Sequence, residues 1–514
     1  MKILHQRVLA ALCFISTAVP LAASSQSHNL PASVDRALKQ ARIPESAIGV
    51  YVHEIGASKP LLTVNGNAAM NPASVMKLVT TFAGLELLGP AYTWNTESYA
   101  NGIVEDGALR GDLVIKGYGD PKLNLENFWL LTRRLRQTGL REITGDLVLD
   151  SSHFDLPNGD PAAFDGKPYR AYNVLPEALL VNYRTLALRL IPQPGSKTVR
   201  IVVDPLPASL DLQNSLTLTN GPCSEWRDAL GTDIRTAVKD NGRVSVLLNG
   251  NYSRDCGEKT LFLSVHDNAH YIFSLFRHLW EEQGGVFRGK VRAGTVPEGI
   301  PPLEIHQSPP LTDIVRDINK FSNNTAARQL YLALGLTTGL TTDMPGGTST
   351  GVVAGESISG ISATNGAGES KVKSRATLAK SNTAIQRWLA SKRLSFPELI
   401  MENGSGLSRN ERISARHLGE LLIAAFQSPA MPEFISSLPI AAVDGTMKKR
   451  LNGSATAGQA HIKTGLLEGV KTMAGYVLEK SGRRVVVVFL VNHPRSGGAQ
   501  PAMDALLEWA YERR

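Results

Sequence analysis

Three short polar patches constrain the fold of this 514-residue chain more than anything else in it. They are Ser74-Val75-Met76-Lys77, Ser322-Asn323-Asn324 and Lys463-Thr464-Gly465. Each alone has a bland reading: an exposed helix start, a helix cap at Asn324, a solvated loop. If they are to meet, the two ends of the chain must fold against each other. The long stretch from Lys77 to Ser322 must then be carried as one or two inserted domains.

The local patterns agree with that demand. Residues 47–53 and 60–64 predict two short strands joined by a turn at Gly56-Ala57-Ser58. Asn71-Pro72-Ala73-Ser74 opens a helix to about Leu88, with Met76, Leu78, Val79, Phe82 and Leu85 at helical spacing. Towards the other end, 463–465 borders a strand, and 473–478 and 485–491 alternate as a hairpin around Lys480-Ser481-Gly482. Residues 501–511 read as a closing helix. The expected fold class is α+β, one antiparallel sheet covered by helices and built from 26–92 and 303–514. Between them, 93–302 is read as one or two inserted β-rich domains. Its predicted strands are 112–116, 146–150, 185–191, 199–203, 215–219, 245–248 and 260–265, followed by a helix at 271–283. Residues 336–370 are rich in Gly, Ser and Thr without aromatic residues, and read as a flexible insertion or as short strands of a lid.

Lys2 and Arg7 precede an apolar run at 8–21, broken by Pro20 and followed by Ala22-Ala23-Ser24-Ser25. This is the layout of a secretory signal peptide, expected at 1–25, and it is too short to be a comfortable membrane anchor. Export to the periplasm is the expectation. Of three cysteines, Cys13 lies in the leader. Cys223 and Cys256 remain as either one disulfide or two buried thiols, and an oxidising compartment favours the disulfide. The net charge of +8 comes without the Lys/Arg run of a nucleic-acid binder, so no nucleic-acid partner is expected. A mild basic excess suits association with an anionic wall or membrane surface.

The patches carry a coherent chemistry. Ser74 and Lys77 are three apart at a helix start, so the amine can reach the hydroxyl. Serine needs an adjacent base, and lysine serves once desolvation or a nearby cation lowers its pKa. Ser322 can hand a proton to a leaving amine and Asn324 can hold a substrate amide. Lys463 and Thr464 can bind a carboxylate, Gly465 admits close backbone approach, and the Leu466 N–H can serve as an oxyanion donor. No His/Cys/Asp cluster has metal-ligand spacing, so neither metal nor cofactor is expected.

In this order the patches resemble the S-x-x-K, S-x-N and K-T-G elements of penicillin-recognising acyl-serine enzymes. Asn403-Gly404-Ser405-Gly406-Leu407-Ser408-Arg409, Gly117-Tyr118-Gly119-Asp120-Pro121 and Asp444-Gly445-Thr446-Met447 narrow the match. With the long insert after Lys77, the chain resembles the D-alanyl-D-alanine carboxypeptidase/endopeptidase family of the penicillin-binding protein 4 type. The resemblance implies a β-lactamase/transpeptidase-like domain acting on peptidoglycan stem peptides, with β-lactams as inhibitors. It makes Ser74 the acylated nucleophile, Lys77 its base, Ser322 the relay and Asn324 the amide holder. Lys463 and Thr464 become the seat of the terminal D-alanine carboxylate. It also places an aspartate of the inserted region near the cleft, for which Asp165 is the candidate.

Leu466 departs from the family, which usually has Thr or Ser there, and removes a hydroxyl contact. Two rival functions are a serine β-lactamase and a non-catalytic wall-binding or penicillin-sensing module. The segment from Glu177 to Asn182 is superficially similar to the deacylating glutamate segment of class A β-lactamases. It has one residue too many and precedes Ser322 instead of following it. A non-catalytic module would have no need of Ser74, Lys77, Ser322 and Asn324 together.

Overall fold

The computed structural model describes residues 30–513 except 208, 224–225, 228, 237–242 and 340–374. The expected leader and most of the 336–370 insertion lie outside the described residues.

Both ends of the chain contribute to one five-stranded antiparallel sheet. From its edge inwards the strands are Ala460–Leu467, Val470–Leu478, Arg484–Asn492, Ile48–Glu54 and Leu62–Val64. Strand Arg484–Asn492 shows why this segment must be central. Val485, Val487, Phe489 and Val491 pack with the terminal helices Ala32–Gln40 and Gln500–Glu512. Val486, Val488 and Leu490 point the other way, into the helices Lys77–Leu87, Leu311–Phe321, Asn324–Gly335 and Ala415–Phe426. All seven are fully buried, so this run of β-branched residues fits only a strand covered on both faces.

The stretch between the first helices and Leu311 builds a seven-stranded sheet and two three-stranded sheets. The similar segments after Gly111 and Gly145 are neighbouring parallel strands, with Leu113 opposite Leu147. This region is less purely β than expected, because helix Leu125–Gln137 lies within it as well as helix Asn268–Glu282. The first of these turns Phe128, Leu131 and Leu135 into the core and is capped by Asn124, which accepts from the Asn127 N–H at 3.1 Å. Cys223 and Cys256 are joined as a disulfide.

Candidate active site

The first patch is held by its surroundings before any catalytic group is considered. Residues Ala73–Met76 form a 3-10 turn leading into helix Lys77–Leu87, so the helix proper starts later than the sequence suggested. Ala73 enters the turn at φ +47°, a left-handed conformation that a non-glycine residue adopts only when neighbours enforce it. Those neighbours are identifiable. Asn71 Oδ1 accepts from the Ala73 N–H at 2.9 Å, and Thr472 donates to the Pro72 carbonyl at 2.7 Å. Asn71 itself is tied to Ser408 and Asn492. Gly406 sits so close that a Cβ there would fall 1.9 Å from the Ala73 carbonyl oxygen.

In this turn Ser74 is half-buried, while Lys77 is fully buried. Lys77 Nζ donates to Ser74 Oγ at 3.0 Å, to Asn324 Oδ1 at 2.6 Å and to the Ser405 carbonyl. None of these acceptors carries a charge. Burial therefore pushes the Lys77 pKa well down, and the Lys463 cation adds to the effect.

The second patch lies on the sharp turn between helices Leu311–Phe321 and Asn324–Gly335. Ser322 ends the first helix in the left-handed conformation at φ +58°. Asn323, rather than Asn324, caps the second helix, accepting from the Ala326 N–H at 3.0 Å. That leaves the Asn324 side chain free for Lys77 and for the Tyr172 carbonyl, to which it donates at 3.3 Å.

The third patch occupies the edge strand Ala460–Leu467. Lys463 is fully buried and donates to Ser322 Oγ at 2.9 Å and to the Thr464 carbonyl at 2.7 Å. Burial lowers its pKa to about 7. Thr464 donates to Thr446 Oγ1 at 2.7 Å. A Cβ on Gly465 would lie 2.9 Å from the Ser74 nitrogen, so the glycine lets strand and turn touch. Ile462 donates outward to the Pro439 carbonyl at 2.7 Å. The two-residue period of a strand puts the Leu466 N–H on the same outer edge. The Leu466 side chain is 68% exposed.

Asp165 comes from the inserted region. The loop that carries it packs Phe164 against Ala73, Leu407, Leu467 and Val470. Asp165 accepts from the Tyr172 hydroxyl at 2.7 Å and from the Asn173 amide at 2.8 Å, and these bonds hold its carboxyl below the usual range despite partial burial. Glu177 is occupied elsewhere: its carboxylate receives Asn268 at 2.6 Å and faces Arg184 at 3.7 Å.

Four contributors to the site were not singled out from sequence. The Ser405 carbonyl, the Tyr172 carbonyl and the Thr446 hydroxyl touch the three patches directly. Glu411 is a buried carboxylate close enough to influence Lys77. Ser405 and Thr446 lay inside quoted motifs, while Tyr172 and Glu411 had no sequence signal.

The model of the D-Ala-D-Ala carboxypeptidase 3 (S13) family matches residues 30–367 and 362–512. The chain belongs to this family. Among its relatives is a D-alanyl-D-alanine carboxypeptidase of Actinomadura sp. (strain R39), 27% identical over 95% of this chain and 85% of the relative. Penicillin-binding protein 4 (dacB) of Haemophilus influenzae superposes with a TM-score of 0.71 at 23% identity, covering 93% of this chain and 99% of that one. A second structure of it, complexed with a β-lactam, gives 0.67 at 23% identity over 94% and 100% of the two chains. The likeness establishes the fold as the β-lactamase/transpeptidase-like type with a large insertion.

Proposed function

We propose that this S13-family protein is a serine-type D-Ala-D-Ala carboxypeptidase that works through an ester on Ser74. The observation that carries the reading is the wiring of two buried lysines. Lys77 is bonded to Ser74 and Asn324, and Lys463 to Ser322. A neutral Lys77 amine takes the Ser74 proton as Oγ attacks the carbonyl of the penultimate D-alanine. The oxyanion that forms lies against the N–H groups of Ser74 and Leu466. Protonated Lys77 returns that proton by way of Ser322 to the departing D-alanine amine as the peptide bond breaks, which leaves Lys77 neutral. Water then hydrolyses the ester with Lys77 again as base. Lys463 and Thr464 seat the terminal carboxylate, Asn324 holds the substrate amide, and Asp165 faces the substrate from the inserted side.

The same serine would be acylated by penicillin, and the complex of the Haemophilus protein with a β-lactam supports that. We further propose work on exported stem peptides in the periplasm, on the strength of the leader expected at 1–25, and D-alanyl endopeptidase activity by the same ester chemistry. With Glu177 engaged by Asn268 and Arg184, the penicilloyl ester is expected to persist for minutes or longer. Ser74→Ala tests the proposal. It should abolish both labelling by fluorescent penicillin and D-alanine release from a muropeptide pentapeptide. Surviving hydrolysis would defeat the mechanism, rapid nitrocefin turnover would reassign the protein as a β-lactamase, and assay on a cross-linked dimer decides the endopeptidase activity.

A further inference from the structure

The hydroxyl missing at Leu466 has a structural counterpart. Thr446 comes from a separate loop, is exposed, and has its Oγ1 2.7 Å from Thr464 Oγ1. Its position is set by a clamp. Asp444 accepts from Lys320 Nζ at 2.7 Å with one oxygen and from the Ile440 N–H at 2.8 Å with the other. Lys320 is buried and also donates to the Leu438 carbonyl at 2.6 Å. Gly445 turns the chain at φ +55°, and a Cβ there would meet the Lys320 carbonyl oxygen at 2.7 Å. Lys320 lies two residues before Ser322, so one ion pair ties the relay turn to the loop that carries Thr446.

We propose that Thr446 is a substrate-binding residue, supplying the second hydroxyl of the seat for a free C-terminal carboxylate in place of the one absent at Leu466. Lys320 and Asp444 are its positioning residues. The inference rests on the proposed role of Lys463 and Thr464. Two hydroxyls at hydrogen-bonding distance can each turn a proton towards one carboxylate beside the Lys463 amine. Residue 466 shares the strand face of Thr464 by the two-residue period, so a hydroxyl there would approach the same ligand from the other side.

The test uses the purified full chain with a diacetyl-L-Lys-D-Ala-D-Ala substrate and its C-terminal amide. Wild-type protein should prefer the carboxylate. Thr446→Val should lower kcat/KM for the carboxylate substrate about tenfold or more, mainly through KM, and lower it much less for the amide, whose uncharged oxygen accepts more weakly. Thr446→Ser should stay within about twofold of wild type, because it keeps the hydroxyl. Adding Leu466→Thr to Thr446→Val should recover part of the loss. Equal losses on both substrates, no loss at all, failure of Thr446→Ser to retain activity, or no recovery on adding Leu466→Thr would each overturn the proposal. A wild-type protein indifferent to carboxylate and amide would instead overturn the reading of Lys463 and Thr464.

Discussion

Replacing Gly465 by alanine probes the contact that joins the edge strand to the turn carrying Ser74. The added Cβ would fall 2.2 Å from Thr472 Oγ1, 2.9 Å from the Pro72 carbonyl oxygen and 2.9 Å from the Ser74 nitrogen. The threonine hydroxyl can rotate away, at the loss of its bond to Pro72, which is worth about 1 kcal/mol. The two backbone atoms cannot rotate. Restoring ordinary contact requires strand and turn to separate by about half an ångström, which shifts the Ser74 and Leu466 N–H groups apart. Misplacement by about 1 Å costs about 100-fold in rate, so a loss of about 10- to 100-fold in penicillin acylation is expected. Overpacking should also cost about 1–3 kcal/mol of stability. Stopped-flow acylation by fluorescent penicillin and urea unfolding measure the two effects. Gly497→Ala is the control, since a Cβ there meets nothing within 4 Å. Acylation of Gly465→Ala within about threefold of wild type, at unchanged stability, would refute the idea that this close approach builds the site.

Other expectations concern titration and cross-linking. In the proposed mechanism acylation requires neutral Lys77 and is favoured by charged Lys463, so its pH profile should be bell-shaped, with the alkaline limb near the Lys463 value of about 7. Both lysines are depressed in the fold, so the unfolded chain binds more protons between their folded and ordinary values. The Lys463 contribution to stability should therefore rise from about pH 7 towards pH 10, and that of Lys77 likewise rises with pH up to its ordinary value. Asp120 behaves oppositely: burial raises its pKa to about 7, the fold holds its proton longer, and stability drains away as pH climbs from about 4 to 7. Asp120→Asn should flatten that trend and gain up to about 4 kcal/mol relative to wild type above pH 7, read by urea unfolding at several pH values. Reducing Cys223–Cys256, which are 33 positions apart, should cost about 3–4 kcal/mol of stability in its own sheet region and leave penicillin labelling intact.

What was legible in the sequence divides along physical lines. The buried strand Arg484–Asn492 announces itself as an unbroken run of mostly β-branched apolar residues, and helix Lys77–Leu87 by apolar residues at helical spacing behind a first-turn proline. That Ser74 would meet Lys77, and Ser322 meet Lys463, was legible because spacing and residue chemistry coincide. Helix Leu125–Gln137 was hidden because the apolar residues Leu125, Trp129 and Leu130 lie outside its buried face and blur the helical period, in a region otherwise dominated by strands. The Ser405 and Tyr172 carbonyls had no side-chain signature at all, since a backbone oxygen can belong to any residue. Thr446 and Glu411 act through contacts that only the folded chain creates.

Glu411 shows what kind of electrostatics would fit Lys77 for the proposed role of base. It is fully buried, and its Oε1 accepts from the Glu402 and Asn403 N–H groups at 3.0 and 3.1 Å, while Oε2 has no partner among the described residues. Burial raises its own pKa, and its negative charge raises that of Lys77 against the lowering effects of desolvation and of Lys463. The carboxylate is thus near enough to be felt by the amine, yet its hydrogen bonds go to backbone donors. A direct ion pair would hold the lysine charged and useless as a base. Glu411→Gln keeps an oxygen for the two backbone donors and removes the charge. The Lys77 pKa should fall further, and the acid limb of the acylation profile should move to lower pH with its plateau preserved. Movement of that limb to higher pH, or a plateau reduced about 100-fold, would mean that Glu411 takes part in proton transfer instead of setting the field in which Lys77 works.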